Sequence, residues 1–351
     1  MNYMFEEEND AEREAELQQE ENFLTKGEHF EATPDILPEH LERYKQEIVW
    51  SKEHHARMQA VWREIERLPR NGKVLLVNMV YRGLPGHANF PNVSPELQKY
   101  YFAAQTGGQV LTEAEEFVPA QFGYYFGLEP GDERLEVINP KLGQPIEVNP
   151  ADYGAIILTG SEAMMTWVDE QPEREEVGMI NTTKEFLKRV KLAGVPMLGI
   201  CFGSQIYASI NSGKVDWISQ DPECRTPEFG PSVIHLTEEG LKDSIFERLP
   251  QRFGVIANHS QHVTSLPRDA VVLASNETSP VQAVRFAPGV YTIQNHPEAT
   301  NVTTDVSRAM LGDKLAEVGL HPEEAKARVL SIDTHLARTI FANFLKIASK
   351  I

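Results

Sequence analysis

The chain has 351 residues, 41% of them hydrophobic, which suffices for one large α/β domain with an extension or for two small domains. Its net charge of −19 argues against sequence-independent binding to nucleic acid or to an anionic membrane, since both need a basic face. The two cysteines, Cys201 and Cys224, are too few for a disulfide framework. With no apolar run near ~18 residues and an acidic amino end, the expectation is a soluble, cytoplasmic protein.

Residues 1–33 are dominated by Glu, with apolar residues too sparse for a core, and read as a solvated helix or a disordered tail. Between residues 36 and 68, Leu41, Tyr44, Ile48, Met58, Val61, Trp62, Ile65 and Leu68 recur at three- and four-residue steps. That spacing predicts an amphipathic helix or helical pair, whose apolar face must pack on the main body or on a second copy of the chain, which leaves a homo-oligomer open. His54 and His55 are adjacent and project in different directions, so no metal site is expected there. Residues 1–70 thus form an acidic, partly helical N-terminal extension.

The main domain is expected over residues 71–351. Asn71-Gly72 breaks the helix, and residues 73–80 read as a first buried strand. Residues 83–130 form an insert with recurrent Gly and Pro and two aromatic triplets, Tyr100-Tyr101-Phe102 and Tyr124-Tyr125-Phe126. These triplets could line or cap a substrate pocket; the simpler reading is core beneath a long connection. Further strands are expected at 135–138 and 152–158, the latter running into Thr159-Gly160-Ser161. A helix starting at a Thr182/Glu185 capping box and stopped by Gly194 then leads to the apolar run 195–200.

At the end of that run stands Cys201. The residues after it place Phe202, Ile206 and Ile210 on one helical face, and Gly199 and Gly203 flank the cysteine two residues either side. Gly-Ile-Cys-Phe-Gly is the thiol counterpart of a Gly-x-Ser-x-Gly elbow: the glycines let strand and helix approach, and the helix N-terminus favours a thiolate. Strands alternating with helices predict a doubly wound, mostly parallel sheet with its chemistry at the carboxyl edge. Short strands at 232–236, 253–257, 270–274, 281–285 and 290–294 predict an antiparallel addition, and residues 335–347 a closing helix.

A thiolate needs a base, and the base needs a group to fix its tautomer. Gln294-Asn295-His296-Pro297-Glu298 offers both in one turn, at the end of an expected strand. His259 and His262 lack a third nearby ligand and read as a substrate-loop histidine and a surface histidine, and Cys224 as a loop thiol.

The pair Gly-Ile-Cys-Phe-Gly-Ser-Gln and Gln-Asn-His-Pro-Glu resembles the class I glutamine amidotransferase superfamily, over about residues 73–351. Within it, the segments around Glu228-Phe229-Gly230 and Asn258-His259 are most similar to the amidotransferase half of GMP synthetase. The cysteine motif and Thr-Gly-Ser also resemble γ-glutamyl peptidases of the same fold. The resemblance implies Cys201 as nucleophile, His296 as general base and acid, and Glu298 as the residue that orients it. It implies an oxyanion hole of the Phe202 and Ser161 backbone N–H groups. It implies substrate binding by Gly160, Gln205, Asn258, His259 and Ser260, with no cofactor and no metal.

The sequence departs from the family pattern at Ser161, often Gly, at Gln261, often acidic, and at Ser204, commonly His. By this resemblance the substrate is glutamine, with ammonia passed to a separate synthetase or acceptor enzyme, because the chain carries no phosphate-loop motif and no second large domain. The alternatives are a γ-glutamyl peptidase or hydrolase and, in a different class, a non-catalytic scaffold.

Overall fold

The computed structural model describes residues 38–65, 67–80, 84–86, 89–111, 113–140, 146–221, 226–311 and 322–351. The acidic stretch 1–33 and Cys224 lie outside the described residues. Eleven strands are present among them: β1 Val74–Val77, β2 Leu135–Ile138, β3 Ala155–Leu158, β4 Met197–Ile200, β5 Lys214–Trp217, β6 Glu228–Leu236, β7 Arg252–His259, β8 Gln261–Ser265, β9 Val271–Ser275, β10 Ala283–Ala287 and β11 Val290–Ile293. Nine form one sheet in the order β2-β1-β3-β4-β11-β10-β9-β6-β7, and β5 pairs with β8 separately.

The half from β2 to β11 is parallel, and the half from β11 through β10, β9 and β6 to β7 is antiparallel. This is the doubly wound α/β sheet with an antiparallel addition that the strand pattern predicts. The central strands β1, β3, β4 and β11 are buried at every residue, as apolar runs covered on both faces must be. Alternation then divides their side chains. Val74, Leu76, Ala155, Ile157, Leu198 and Ile200 enter one core, and Leu75, Val77, Ile156, Leu158 and Met197 enter the other.

The longer helices are α1 Leu41–Glu64, α2 Pro95–Thr106, α3 Ala114–Tyr125, α4 Glu175–Ala193, α5 Phe202–Ile210, α6 Asn301–Leu311, α7 Pro322–Ser331 and α8 Thr339–Ala348. The first core takes Tyr44, Met58 and Trp62 of α1, both aromatic clusters of α2 and α3, and Ile340, Phe341 and Phe344 of α8. The second takes Ile180, Phe186, Leu187 and Val190 of α4 with Phe202 and Ile206 of α5.

Among its described residues, the segment 36–68 contributes one continuous α-helix, α1, which packs on the body of this chain. Polar anchors fix it there: His40 Nδ1 lies 2.6 Å from Asp305, Tyr44 donates to the same carboxylate at 2.7 Å, and Arg338 donates to Glu47 at 2.8 Å. The Trp62 indole donates to Phe126 O at 2.7 Å. Of the aromatic triplets, Tyr100, Tyr101, Phe102, Tyr125 and Phe126 are buried, so they are core.

The largest departure from an expected boundary is at the start of α4. Helix α4 starts at Glu175, seven residues before the Thr182/Glu185 pair, which lies inside it. Met179 and Ile180 enter the same core as Phe186, Leu187 and Val190, and that burial outweighs a capping signal worth ~1 kcal/mol. Its stop at Gly194, with φ +61°, is as expected.

Candidate functional site

Because β3, β4 and β11 are parallel, their carboxyl ends share one edge of the sheet, and the register sets their heights. Leu158 pairs with Gly199, and Ile293 with Ile200. Gly160, Cys201 and the Gln294–His296 segment therefore emerge side by side. Cys201 N–H donates to Ile293 O at 2.8 Å, the last ladder bond before the chain turns into α5.

That turn is strained. Cys201 has φ +50° and ψ −104°, a conformation that a residue with a Cβ rarely adopts. The flanking glycines permit the close approach: a Cβ on Gly199 would lie 2.7 Å from Gly203 O, and one on Gly203 would lie 2.9 Å from both the Cβ and the carbonyl of Leu158. Cys201 is a free cysteine, 5% exposed, at the N-cap of α5. Its Sγ lies 3.8 Å from Asn258 O and accepts from Gln294 Nε2 at 3.6 Å. Phe202 and Gly203 occupy the first two helical positions, where the intrahelical ladder supplies backbone N–H groups with no partner.

His296 is held by its own N–H, which donates to Ile256 O at 2.8 Å, and by its ring. Nδ1 lies 2.7 Å from Glu298 Oε1, while Nε2 has no conventional hydrogen-bond partner. Burial would lower the pKa of this imidazole, but the charge of Glu298 and then Cys201 outweigh it and hold it well above the usual histidine value. Gly160 closes the group, since a Cβ there would stand 2.9 Å from His296 Cε1 and 3.5 Å from Cys201 Cβ. Ser161 follows in the same turn, its hydroxyl accepting from Ala163 N–H at 3.2 Å.

Of the other expected site residues, Gln205 is buried, and its Nε2 donates to Gln261 O at 2.7 Å and to Gln294 Oε1 at 3.3 Å. Asn258 presents its backbone to the sulfur, and Ser260 accepts from Ile218 N–H at 2.9 Å. The His259 ring is engaged elsewhere: Nδ1 meets Gln261 O at 3.0 Å, and Nε2 lies 3.1 Å from Glu228. Burial would raise the pKa of that carboxyl. His259, Ser232 and Asn276 together hold it below the usual carboxylate value.

Two residues to which the sequence reading assigned no role organise this edge. Gln294 bridges Cys201 and Gln205. Gln261 accepts from Met165 N–H at 2.9 Å and donates to Thr166 at 2.8 Å, tying the segment after Ser161 to the start of β8. Both stand inside or next to the quoted motifs, but only the fold pairs them. Among the described residues no group of three or more His, Cys, Asp or Glu is placed to hold a metal ion, and no helix is long and apolar enough to cross a membrane. A cleft of about 830 Å³ between α3 and the β2 edge includes His55 and Tyr124 but none of the residues around Cys201.

Comparison with known proteins bears on the family and the fold. The sequence model of the family Glutamine amidotransferase class-I matches residues 170–316. The chain is 33% identical over 163 residues to a glutamine-hydrolyzing GMP synthase subunit of Methanopyrus kandleri, covering 46% of this chain and 74% of that protein. It is 31% identical over 180 residues to the glutamine-hydrolyzing GMP synthase of Thermosipho melanesiensis, covering 51% of this chain but only 29% of that protein's length. Among solved structures, a glutamine amidotransferase from Thermotoga maritima superposes with a TM-score of 0.54 at 15% identity, over 80% of this chain and 99% of its own. One from Methylobacillus flagellatus gives 0.50 at 14% identity, over 79% and 94%. The chain belongs to the class I glutamine amidotransferase superfamily.

Proposed function

We propose that the protein hydrolyses the γ-amide of glutamine through a thioester on Cys201. The observation that carries this reading is the meeting of three groups at one sheet edge: a strained cysteine at a helix N-terminus, an imidazole whose pKa the sulfur itself helps raise, and a carboxylate 2.7 Å from that ring's far nitrogen. In this reading the Cys201 thiolate attacks the γ-carbonyl, and the C–N bond breaks as His296 protonates the departing ammonia. His296 then takes a proton from water, which cleaves the thioester to glutamate. Glu298 holds the ring with Nε2 toward the sulfur. The Phe202 and Ser161 N–H groups would receive the oxyanion, and Gly160, Gln205, Asn258 and Ser260 would frame the substrate.

Ammonia would pass to a separate acceptor enzyme in the cytoplasm. The support is that a similar protein, from Methanopyrus kandleri, is named as one subunit of GMP synthase. The test is mass spectrometry of the protein quenched with glutamine and, in parallel, with a γ-glutamyl dipeptide, together with glutamate release from each. A glutamyl adduct on Cys201 with preference for glutamine is the expected result. Preference for the dipeptide would instead make the protein a γ-glutamyl peptidase. Full activity in Cys201→Ala would overturn the assignment.

A further inference from the structure

The insert at residues 83–130 reaches the site through two glutamines. Gln105, near the end of α2, is fully buried, and Gln121, in α3, nearly so. Their side-chain amides meet at 2.5 Å. Tyr125 ties the two helices together, its hydroxyl donating to Ala104 O at 2.8 Å. Gln121 carries the contact on to the backbone carbonyl of Glu298. Gln121 Nε2 donates to it at 3.0 Å. Gln105 Nε2 in turn donates to the Thr300 and Thr303 hydroxyls at 2.9 Å each, which turns its oxygen toward Gln121.

The carboxylate end of Glu298 has much less support. Oε1 meets His296, and Oε2 is buried without a hydrogen-bond partner. One hydrogen bond does not fix both the position and the plane of a carboxylate, so its aim depends on where its backbone is held. We infer that Gln121, seated by Gln105, is a positioning residue for the Cys201 site: it clamps the Glu298 carbonyl from the insert and thereby fixes the carboxylate against His296. The clamp rests on the function proposed above for its catalytic consequence, but not for its effect on the imidazole.

The expected outcome follows from that division. Gln121→Met keeps the length and apolar volume of the side chain and removes the donor. Its kcat for glutamate release falls about tenfold to a hundredfold, the scale of a small misplacement of a reacting group, with KM within about twofold. The titration of His296, followed by NMR on histidine-labelled protein, moves to lower pH, because Cys201 and Glu298 are the charged groups acting on that ring and one of them is displaced. Gln121→Asn, which keeps the amide but shortens its reach by one carbon, shows a smaller loss of the same kind and serves if the Met variant does not fold.

A folded Gln121 variant with unchanged kcat and an unchanged His296 titration overturns the inference. So does a loss of kcat that follows thermal stability alone, with His296 titrating as in the parent. If the parent protein releases no glutamate from any γ-glutamyl substrate, the proposed function fails. The NMR comparison still decides whether the clamp aims the carboxylate.

Discussion

Gly160 and His296 approach so closely that a methyl group on the first would stand 2.9 Å from Cε1 of the second. The ring cannot easily yield, since Nδ1 is held by Glu298 and its backbone N–H by Ile256 O. Gly160→Ala is therefore expected to turn the imidazole away from Cys201 and to lower glutamate release by ~10²-fold, while far-ultraviolet circular dichroism stays unchanged. Activity within a few-fold of the parent would mean that the ring has room to move.

Glu298→Gln removes the charge that offsets burial at His296, so the imidazole pKa falls. The sign for stability follows. A histidine whose folded pKa lies above its unfolded value of ~6.5 adds stability fully present below that value and lost as pH rises through the folded pKa. The melting temperature of the variant should thus trail the parent most near pH ~6, and the gap should narrow as the solution becomes alkaline. A gap independent of pH would count against the ion pair.

The backbone at Cys201 tests the elbow independently of chemistry. With φ +50° on a residue that has a Cβ, the turn stores strain of about 1–3 kcal/mol. Cys201→Gly should relieve much of it. Urea unfolding would then show a variant that is at least as stable as the parent although inactive, and more stable than Cys201→Ala. A Gly variant clearly less stable than the Ala variant would refute the strain.

Much of this edge was legible in the sequence because it is written locally. Two glycines at fixed offsets from Cys201, and His296 two residues from Glu298, leave few ways to place the chain, and α5 begins and ends as the apolar spacing requires. The insert was less legible. Pro119 lies inside α3, where proline normally argues against a helix, although Ser94-Pro95 at the start of α2 is a readable start signal. The clamp and the anchors of α1 were not legible at all: Gln121 meets Glu298 177 positions away, and Glu47 meets Arg338 291 positions away. No periodicity encodes such pairings. The Thr182/Glu185 pair misled for the opposite reason, since a valid local signal was overridden by burial of the preceding turn.

The pairing of Glu47 with Arg338 joins the N-terminal helix to the start of α8 at 0% and 1% side-chain exposure. Removing one partner strands a buried charge. Glu47→Ala is therefore expected to cost about 3–5 kcal/mol, measured by urea unfolding. Replacing both partners with apolar residues, as in Glu47→Leu with Arg338→Met, should recover most of that loss, because desolvation opposes the ion pair in the parent. Additive losses in the double variant would refute this.

His54 makes the fold sensitive to acid. Burial first, then the nearby positive charges of Arg338, Arg57 and His55, push its pKa down to about 3, although its hydrogen bond to Tyr125 O opposes the shift. Nε2 is 2.9 Å from that carbonyl, so the neutral ring serves as the donor. Between the ordinary value of 6.5 and about 3, the unfolded chain binds a proton that the folded chain refuses. Stability is thus intact above the unfolded pKa and declines with acidification across that window, by up to ~1.4 kcal/mol per pH unit from this one group. His54→Gln keeps a donor for Tyr125 O and removes the titration. Its urea midpoint should fall less steeply than that of the parent between pH ~6 and pH ~4, even if it starts lower near neutrality. Parallel slopes for the two proteins would show that the acid sensitivity lies in other groups.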